Sequence, residues 1–320
     1  MRIALVTPAG AGSRAGNRHT ALRWAAMLRA AGHRVTVGTV WRPQDPAHLM
    51  LALHARRSHA SIKAFAQAHP GRPLVLALTG TDVYRDIRNS REAQESMQLA
   101  DRFITLQRLA AREMAPVLRR KVTVVVQSSS TQRRHRPVAR GFRATVIGHL
   151  REEKDSLRSL AALRLLPERA GFQLIQLGEA LDATLARQAK AAMRRDARYR
   201  WLGSVPHATA LRWLASSHVL VVSSRMEGGA NVVSEALRIG VPVLASRIPG
   251  NVGLLGAGYP GYYPTGDEAA LAALLTRAQA DPGFYRRLLH WMRKLRPMVA
   301  PRNEAAALRA AISFPGRAAA

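Results

Sequence analysis

The chain has 320 residues, 48% of them hydrophobic, enough for two ordinary domains with a core each. It has no cysteine, which excludes a disulfide framework, thiolate catalysis and a thiolate-ligated metal. Its 49 Lys and Arg against 20 Asp and Glu give a net charge of +29, a field that attracts nucleotides, phosphates, nucleic acid or acidic lipid. Arginine and alanine dominate throughout, the bias of GC-rich coding, so the charge carries functional meaning only beside motifs. The opening MRIALVTPAG lacks the pattern of a signal peptide. No apolar run nears the ~18 residues of a membrane span, so a cytoplasmic protein without a stable membrane anchor is expected.

In chain order, short apolar runs alternate with helical stretches, the pattern of parallel α/β sheets. RIALVTP (2–8) reads as a strand, followed by a helix over 17–33 that ends at Gly32. RVTVGTV (34–40), LMLALHA (49–55) and PLVLALTG (73–80) are strands, with a helix over 58–69 between the last two. RFITLQ (102–107) and KVTVVVQS (121–128) follow with a helix between them. SSTQRRHRPVARG (129–141) is polar, basic and aperiodic, and reads as an interdomain linker. The alternation then restarts, with strands at 144–150, 172–178, 199–205, 218–224 and 241–247. Helices are expected near 155–165, 182–195, 206–216 and 230–239, then in a mostly helical tail broken at Pro282, Pro297 and Pro301. The final FPGRAAA reads as a frayed end. The fold class expected is α/β: two Rossmann-like parallel-sheet domains, 1–135 and 142–300, facing a ligand cleft, with a last helix near 301–314 packing on the first.

One stretch, SSRMEGGANVVSEALRIGVPVLAS (223–246), carries the most chemistry. HVLVVSS before it reads as a central strand. Gly228 and Gly229 are expected to permit a sharp turn and close ligand approach. Ala230 and Asn231 then open a helix whose free amides and positive dipole end suit a phosphate. Glu227 and Glu235, eight positions apart, suit hydroxyls rather than phosphates. The stretch therefore describes a nucleotide-sugar seat: pyrophosphate on the helix start, sugar hydroxyls on Glu227, ribose hydroxyls on Glu235. The bland alternative pairs Glu235 with Arg238 and leaves Glu227 a solvated turn residue.

The arrangement resembles the Glu-x7-Glu motif of the retaining glycosyltransferases of family 4, with the GT-B fold. The likeness covers most of the chain. In the second half GHLREEK, LIQLGEALD (with Gly178 ending the strand), WLGSVP, SSRMEGGANVVSEAL and GVPVLAS match in order. The first half matches through a glycine-rich loop after the first strand and AAGHRVTV. In that family a Gly-Arg-Leu-x-x-x-Lys segment sets Arg and Lys on the leaving diphosphate. Here it runs Gly148-His149-Leu150-Arg151-Glu152-Glu153-Lys154. The resemblance implies Lys154 as the diphosphate ligand. His149 stands where Arg is usual, and an imidazole is a weaker partner for pyrophosphate than a guanidinium. Either His149 or Arg225 completes the site. The resemblance also implies a UDP-sugar as co-substrate, no bound cofactor and no metal, and the chain contains no Asp-x-Asp segment.

The first domain would then hold the acceptor. Three basic loops follow its strands: Ser13, Asn17 and Arg18 in PAGAGSRAGNRH (8–19), Arg56 in LHARRS (53–58), and Thr81, Asp82 and Arg85 in TGTDVYRD (79–86). Converging on one sheet edge, they suggest a small anionic acceptor, with Asp82 orienting it or a sugar hydroxyl, or acting as base. LALTGTDVYRDI and GHLREEKD in a short cysteine-free chain look like the selenosugar synthases of bacterial selenoneine biosynthesis. That resemblance implies transfer from UDP-N-acetylglucosamine or UDP-glucose to the selenium of selenophosphate. The rival readings are a GT-B enzyme with a carbohydrate or lipid acceptor, a UDP-sugar epimerase of the same fold, and an Arg-rich nucleic-acid binder. Against the last stand only 5% aromatics and no helix-turn-helix, RRM or zinc pattern, so no nucleic-acid partner is expected. Oligomeric state is not legible.

Overall fold

Strands that are apolar at every position must be covered on both faces, and the chain meets this with two parallel sheets. The computed structural model describes residues 1–13, 16–168 and 171–314. Residues 14 and 15 of the first glycine loop and 315–320 of the expected frayed end lie outside these. The chain divides into two units, Met1–Gln127 with Pro301–Ala320, and Ser128–Ala300.

The first unit holds β1 (Arg2–Val6), β2 (Arg34–Gly38), β3 (Leu49–Leu53), β4 (Leu74–Leu78), β5 (Arg102–Thr105) and β6 (Val122–Val124). They run parallel in the order β2-β1-β3-β4-β5-β6. Every residue of β3 and β4 is buried. Alternate residues feed two cores. Leu49, Leu51 and Val75 join Trp24 and Leu28, whereas Met50, Ala52, Leu74 and Leu76 join Phe65 and Phe103. The late helix Pro301–Ile312 supplies Leu308, Ala311 and Ile312 to the first of these. Its Glu304, 1% exposed, accepts hydrogen bonds from Trp24 Nε1 (2.7 Å) and Arg23 Nε (2.9 Å). A buried carboxylate needs such partners, and this pair ties the helix to the first unit.

The second unit holds β7 (Phe142–Ile147), β8 (Phe172–Leu177), β9 (Tyr199–Trp201), β10 (Val219–Val222), β11 (Val243–Ser246) and β12 (Tyr262–Tyr263), all parallel, in the order β12-β11-β10-β7-β8-β9. Counted within the unit this is the 3-2-1-4-5-6 order of a Rossmann sheet. Its strand order reverses between β7 and β10, where ligands of such sheets bind at the strand C-termini.

Three sequence expectations are corrected. The strand read over 121–128 stops at Val124 and that over 199–205 stops at Trp201. The two-residue β12 has too short a pattern to be read. Segment 129–141, read as an interdomain linker, is fastened to the second unit. The amides of His135, Arg136 and Val138 donate to the carbonyls of Ile239, Ala215 and Ser216, at the ends of helices Asn231–Ile239 and His207–Ala215. Helix C-termini leave carbonyls without partners, and backbone donors meet that need whatever their side chains, so no periodicity betrays it.

His135 Nε2 sits 2.8 Å from the Ser217 carbonyl, and His218 Nδ1 accepts from Arg143 N at 3.0 Å. Burial lowers the pKa of both below the usual 6.5, and for His218 the neighbouring His135 and Arg143 add to it. Above that value folded and unfolded chains are both neutral here. Below it the unfolded chain takes up protons that the fold does not, so stability drops with acidification. The urea midpoint should fall from about pH 7 to about pH 5.5. A flat or rising midpoint would contradict the neutral assignment.

Candidate active site

The residues at the reversal point are assembled by serine hydroxyls. After β7 the chain passes Gly148 and makes a tight turn over Glu152–Lys154, with Asp155 in the left-handed region (φ 44°). Ser223, just past β10, donates through Oγ to the carbonyls of Lys154 (3.0 Å) and Asp155 (2.9 Å), and Arg225 N donates to Glu153 O (2.9 Å). The loops after the two strands are thus stitched together. The stitch delivers Lys154 Nζ to Glu227 Oε1, which also accepts from Ser224 Oγ at 2.6 Å. Glu227 is 8% exposed, so it is no solvated turn residue. Gly250 lets the segment pass: a Cβ there would lie 2.1 Å from the Glu227 carbonyl oxygen. A cavity of about 20 Å³, one water in size, is lined by Gly148, Lys154, Ser223, Ser224 and Val232.

Helix Asn231–Ile239 begins beside this pair. Ala230 is extended (φ −79°, ψ 107°) and no side chain caps the helix. Helix N-termini carry a positive dipole end, here on the loop that holds Glu227, the partner of the Lys154 ammonium. Glu235 does not pair with Arg238. His207 Nε2 lies 2.7 Å from its Oε1, while Arg238 Nε donates to Thr131 O at 3.4 Å. His149 Nδ1 is buried without a partner at the end of β7. Arg225 is 53% exposed, its Nε 3.8 Å from Asp155.

Gly228 and Gly229 make the turn before the helix without positive φ. Gly178 has φ +141°, and a Cβ on it would lie 2.0 Å from Gly148 O and 2.9 Å from His149 N. The missing Cβ lets β8 pack behind the His149 loop.

In the first unit β1, β3 and β4 are neighbours, so the three basic loops leave the same sheet edge side by side. Ser13 lies in the loop after β1, and Asn17 and Arg18 in the first turn of helix Gly16–Ala30. Asp82 is corrected as base and acceptor ligand. It is fully buried, and its carboxylate accepts from the amides of Ala55 (3.1 Å), Thr79 (3.1 Å) and Gly80 (2.7 Å). It braces the loops after β3 and β4. Arg56 and Arg85 meet at Asp86, and Thr81 Oγ1 lies 3.4 Å from His54 Nε2. His54, Asp86, His207 and Ser224 escaped the sequence reading. The contacts that single them out, Ser224 to Glu227 apart, join residues distant in sequence or a nearest neighbour in a common type. Among the described residues no cluster of three or more His, Asp or Glu could hold a metal ion, and no helix is long and apolar enough to cross a membrane.

Two six-stranded parallel sheets with surrounding helices define the GT-B class, and solved structures of that class agree. The chain is similar to HepE of Anabaena in complex with UDP, at 17% identity over 98% of both chains with a TM-score of 0.75. It is also similar to sucrose-phosphate synthase of Thermosynechococcus elongatus, at 16% identity over 98% of this chain and 95% of that one (TM-score 0.71). A third is the lipopolysaccharide outer core galactosyltransferase WaaB, at 12% identity over 97% and 99% (TM-score 0.67). Residues 127–290 match the family described as glycosyl transferases group 1, and the chain belongs to that family.

Proposed function

We propose that the protein transfers N-acetylglucosamine or glucose from its UDP-sugar to the selenium of selenophosphate, giving a 1-selenosugar and UDP. The observation that carries the donor half is the Lys154–Glu227 pair beside the uncapped start of helix Asn231–Ile239, at the reversal point of the second sheet. The donor diphosphate takes the helix amides and Lys154. Glu227, released from the lysine, accepts sugar hydroxyls, and Glu235 accepts ribose hydroxyls. His149 and Arg225 complete the rim, with Gly228, Gly229, Ala230 and Asn231 supplying close backbone approach. Solved complexes of Anabaena HepE with UDP and with UDP-glucose support a UDP-sugar donor by likeness.

The acceptor half rests on the resemblance to selenosugar synthases and on arginines at the strand ends of the first unit. Selenium attacks the anomeric carbon as the bond to UDP breaks through an oxocarbenium-like transition state, and UDP leaves with the bonding electrons. Lys154, the helix dipole and Arg225 stabilise the charge on the leaving diphosphate. Water then cleaves the phosphorus–selenium bond, releasing phosphate and the selenosugar. Selenium in selenophosphate is nucleophilic without a strong general base, which fits Asp82 being occupied by amides. A saccharide acceptor is the second reading, favoured by the likeness to an outer core galactosyltransferase.

Mass spectrometry of products from each UDP-sugar with selenophosphate, against phosphate and thiophosphate controls, tests the proposal. A selenosugar formed in step with UDP is expected. Unchanged UDP-sugar, or free sugar released equally without selenophosphate, would contradict it.

His207 gives a further test. It holds Glu235 in place for the ribose, so His207→Ala should weaken UDP binding ~3–10-fold by calorimetry, one hydrogen bond's worth. Unaltered affinity would remove His207 from the site.

A further inference from the structure

The five-residue turn Asp82–Asp86 that follows β4 carries two buried acids with different work. Asp82 spends its oxygens on backbone amides, and this already ties the loop after β3 to the loop after β4. Asp86, its side chain 6% exposed, meets side chains instead. Oδ2 accepts from Arg56 Nε at 3.2 Å and Oδ1 accepts from Arg85 Nε at 3.3 Å. One buried carboxylate therefore fixes two guanidiniums, one on each of its oxygens. Both arginine side chains stay largely open, 41% and 45% exposed. Burial pushes the Asp86 carboxyl up, but hydrogen bonds from Arg85 and Arg56 outweigh it and hold the group below the usual carboxylate value. His54 Nε2 lies 3.8 Å from Asp86 Oδ2, and its backbone is left-handed (φ 76°), which costs energy in a residue other than glycine. Burial is the chief reason its pKa is lowered, so at neutral pH it adds no charge. The cluster of Arg56, Arg85 and Asp86 then carries a net +1.

An arginine gripped through Nε has lost much of its rotamer freedom before any ligand arrives, and a guanidinium's fork matches the oxygens of a phosphoryl group. We infer that Asp86 is a positioning residue that sets Arg56 and Arg85 as a two-guanidinium receptor for a tetrahedral oxoanion, the phosphoryl group of the acceptor. This rests on the acceptor reading above and extends it to a residue and a ligand chemistry. The phosphoryl group can belong to a small inorganic acceptor or to a larger phosphorylated one.

The test titrates thiophosphate, inorganic phosphate and glucose 6-phosphate into the UDP-saturated full chain by calorimetry, and measures acceptor and donor KM separately. Asp86→Asn should weaken oxoanion binding ~10-fold and raise acceptor KM in proportion, with UDP affinity and donor KM unchanged within ~2-fold. A merely structural brace would move donor and acceptor constants together or neither. Should Asp86→Asn fail to fold, Arg56→Lys decides, since it keeps the charge on an open side chain and loses the Nε grip. It should weaken binding about 5-fold or more. Tighter binding of glucose 6-phosphate than of thiophosphate assigns the phosphoryl group to a larger acceptor, and the reverse order to a small one. Wild-type affinity in a folded Asp86→Asn chain, or in Arg56→Lys where Asp86→Asn does not fold, overturns the inference. So does wild-type protein that binds none of the three anions. Asp86-dependent binding without selenosugar formation would overturn the proposed reaction and leave the receptor standing.

Discussion

Replacing Lys154 with alanine is expected to lower turnover by about 10²–10³, the cost of losing one charged donor aimed at the proposed leaving group. The ammonium sits on a short turn pinned by Ser223 and is held by Glu227. In the proposed reaction the lysine exchanges the carboxylate for a diphosphate whose charge grows as the anomeric bond breaks. It therefore acts more on the transition state than on the ground state, and kcat should fall more than UDP affinity. Removing it also leaves a nearly buried carboxylate with Ser224 alone, so a lower melting temperature is expected beside the kinetic loss. Lys154→Arg keeps the charge and should retain more turnover than the alanine variant. Turnover of Lys154→Ala within a few-fold of wild type would remove the lysine from the reaction.

Gly250→Ala is the second large effect, and its cause is steric. Gly250 lies in helix Pro249–Leu255, outside the left-handed region, so an alanine there meets no backbone penalty of its own. Its Cβ would nonetheless lie 2.1 Å from Glu227 O and 2.9 Å from Glu227 Cβ. Either the helix or the glutamate must move. Overpacking of this kind costs about 1–3 kcal/mol. The displacement falls on the residue that pairs with Lys154, and a shift near 1 Å at a reacting centre costs on the order of 10²-fold in rate. Denaturant unfolding and steady-state kinetics on the same preparation check both. Native stability together with native turnover would mean that the contact relaxes freely and that Glu227 needs no such placement.

The frame of the molecule was legible because burial on two faces writes itself as unbroken apolar runs. LMLAL, LVLAL and VLVV could be little else than central parallel strands. The donor seat was legible in part, since a strand, a glycine turn and a helix start follow one another in one segment. What escaped depends on chain distance or on backbone. Lys154 and Glu227 are 73 positions apart, and the Ser223 hydroxyl and the Arg225 amide stitch their loops together. Asp82 and Asp86 look alike in TGTDVYRD, yet one turn aims the first at amides and the second at guanidiniums. The packing role of Gly178 was hidden because tight loop packing and tight ligand packing demand the same missing Cβ. Segment 129–141 read as a linker because its anchoring runs through main-chain amides.

The most direct test of the donor seat is a crystal structure of the protein with UDP. The account predicts the diphosphate on the amides that open the helix at Ala230 and Asn231, with Lys154 turned from Glu227 to a phosphate oxygen and Glu235 on the ribose. UDP bound away from that helix start, or seated there with Lys154 still on Glu227, would contradict it.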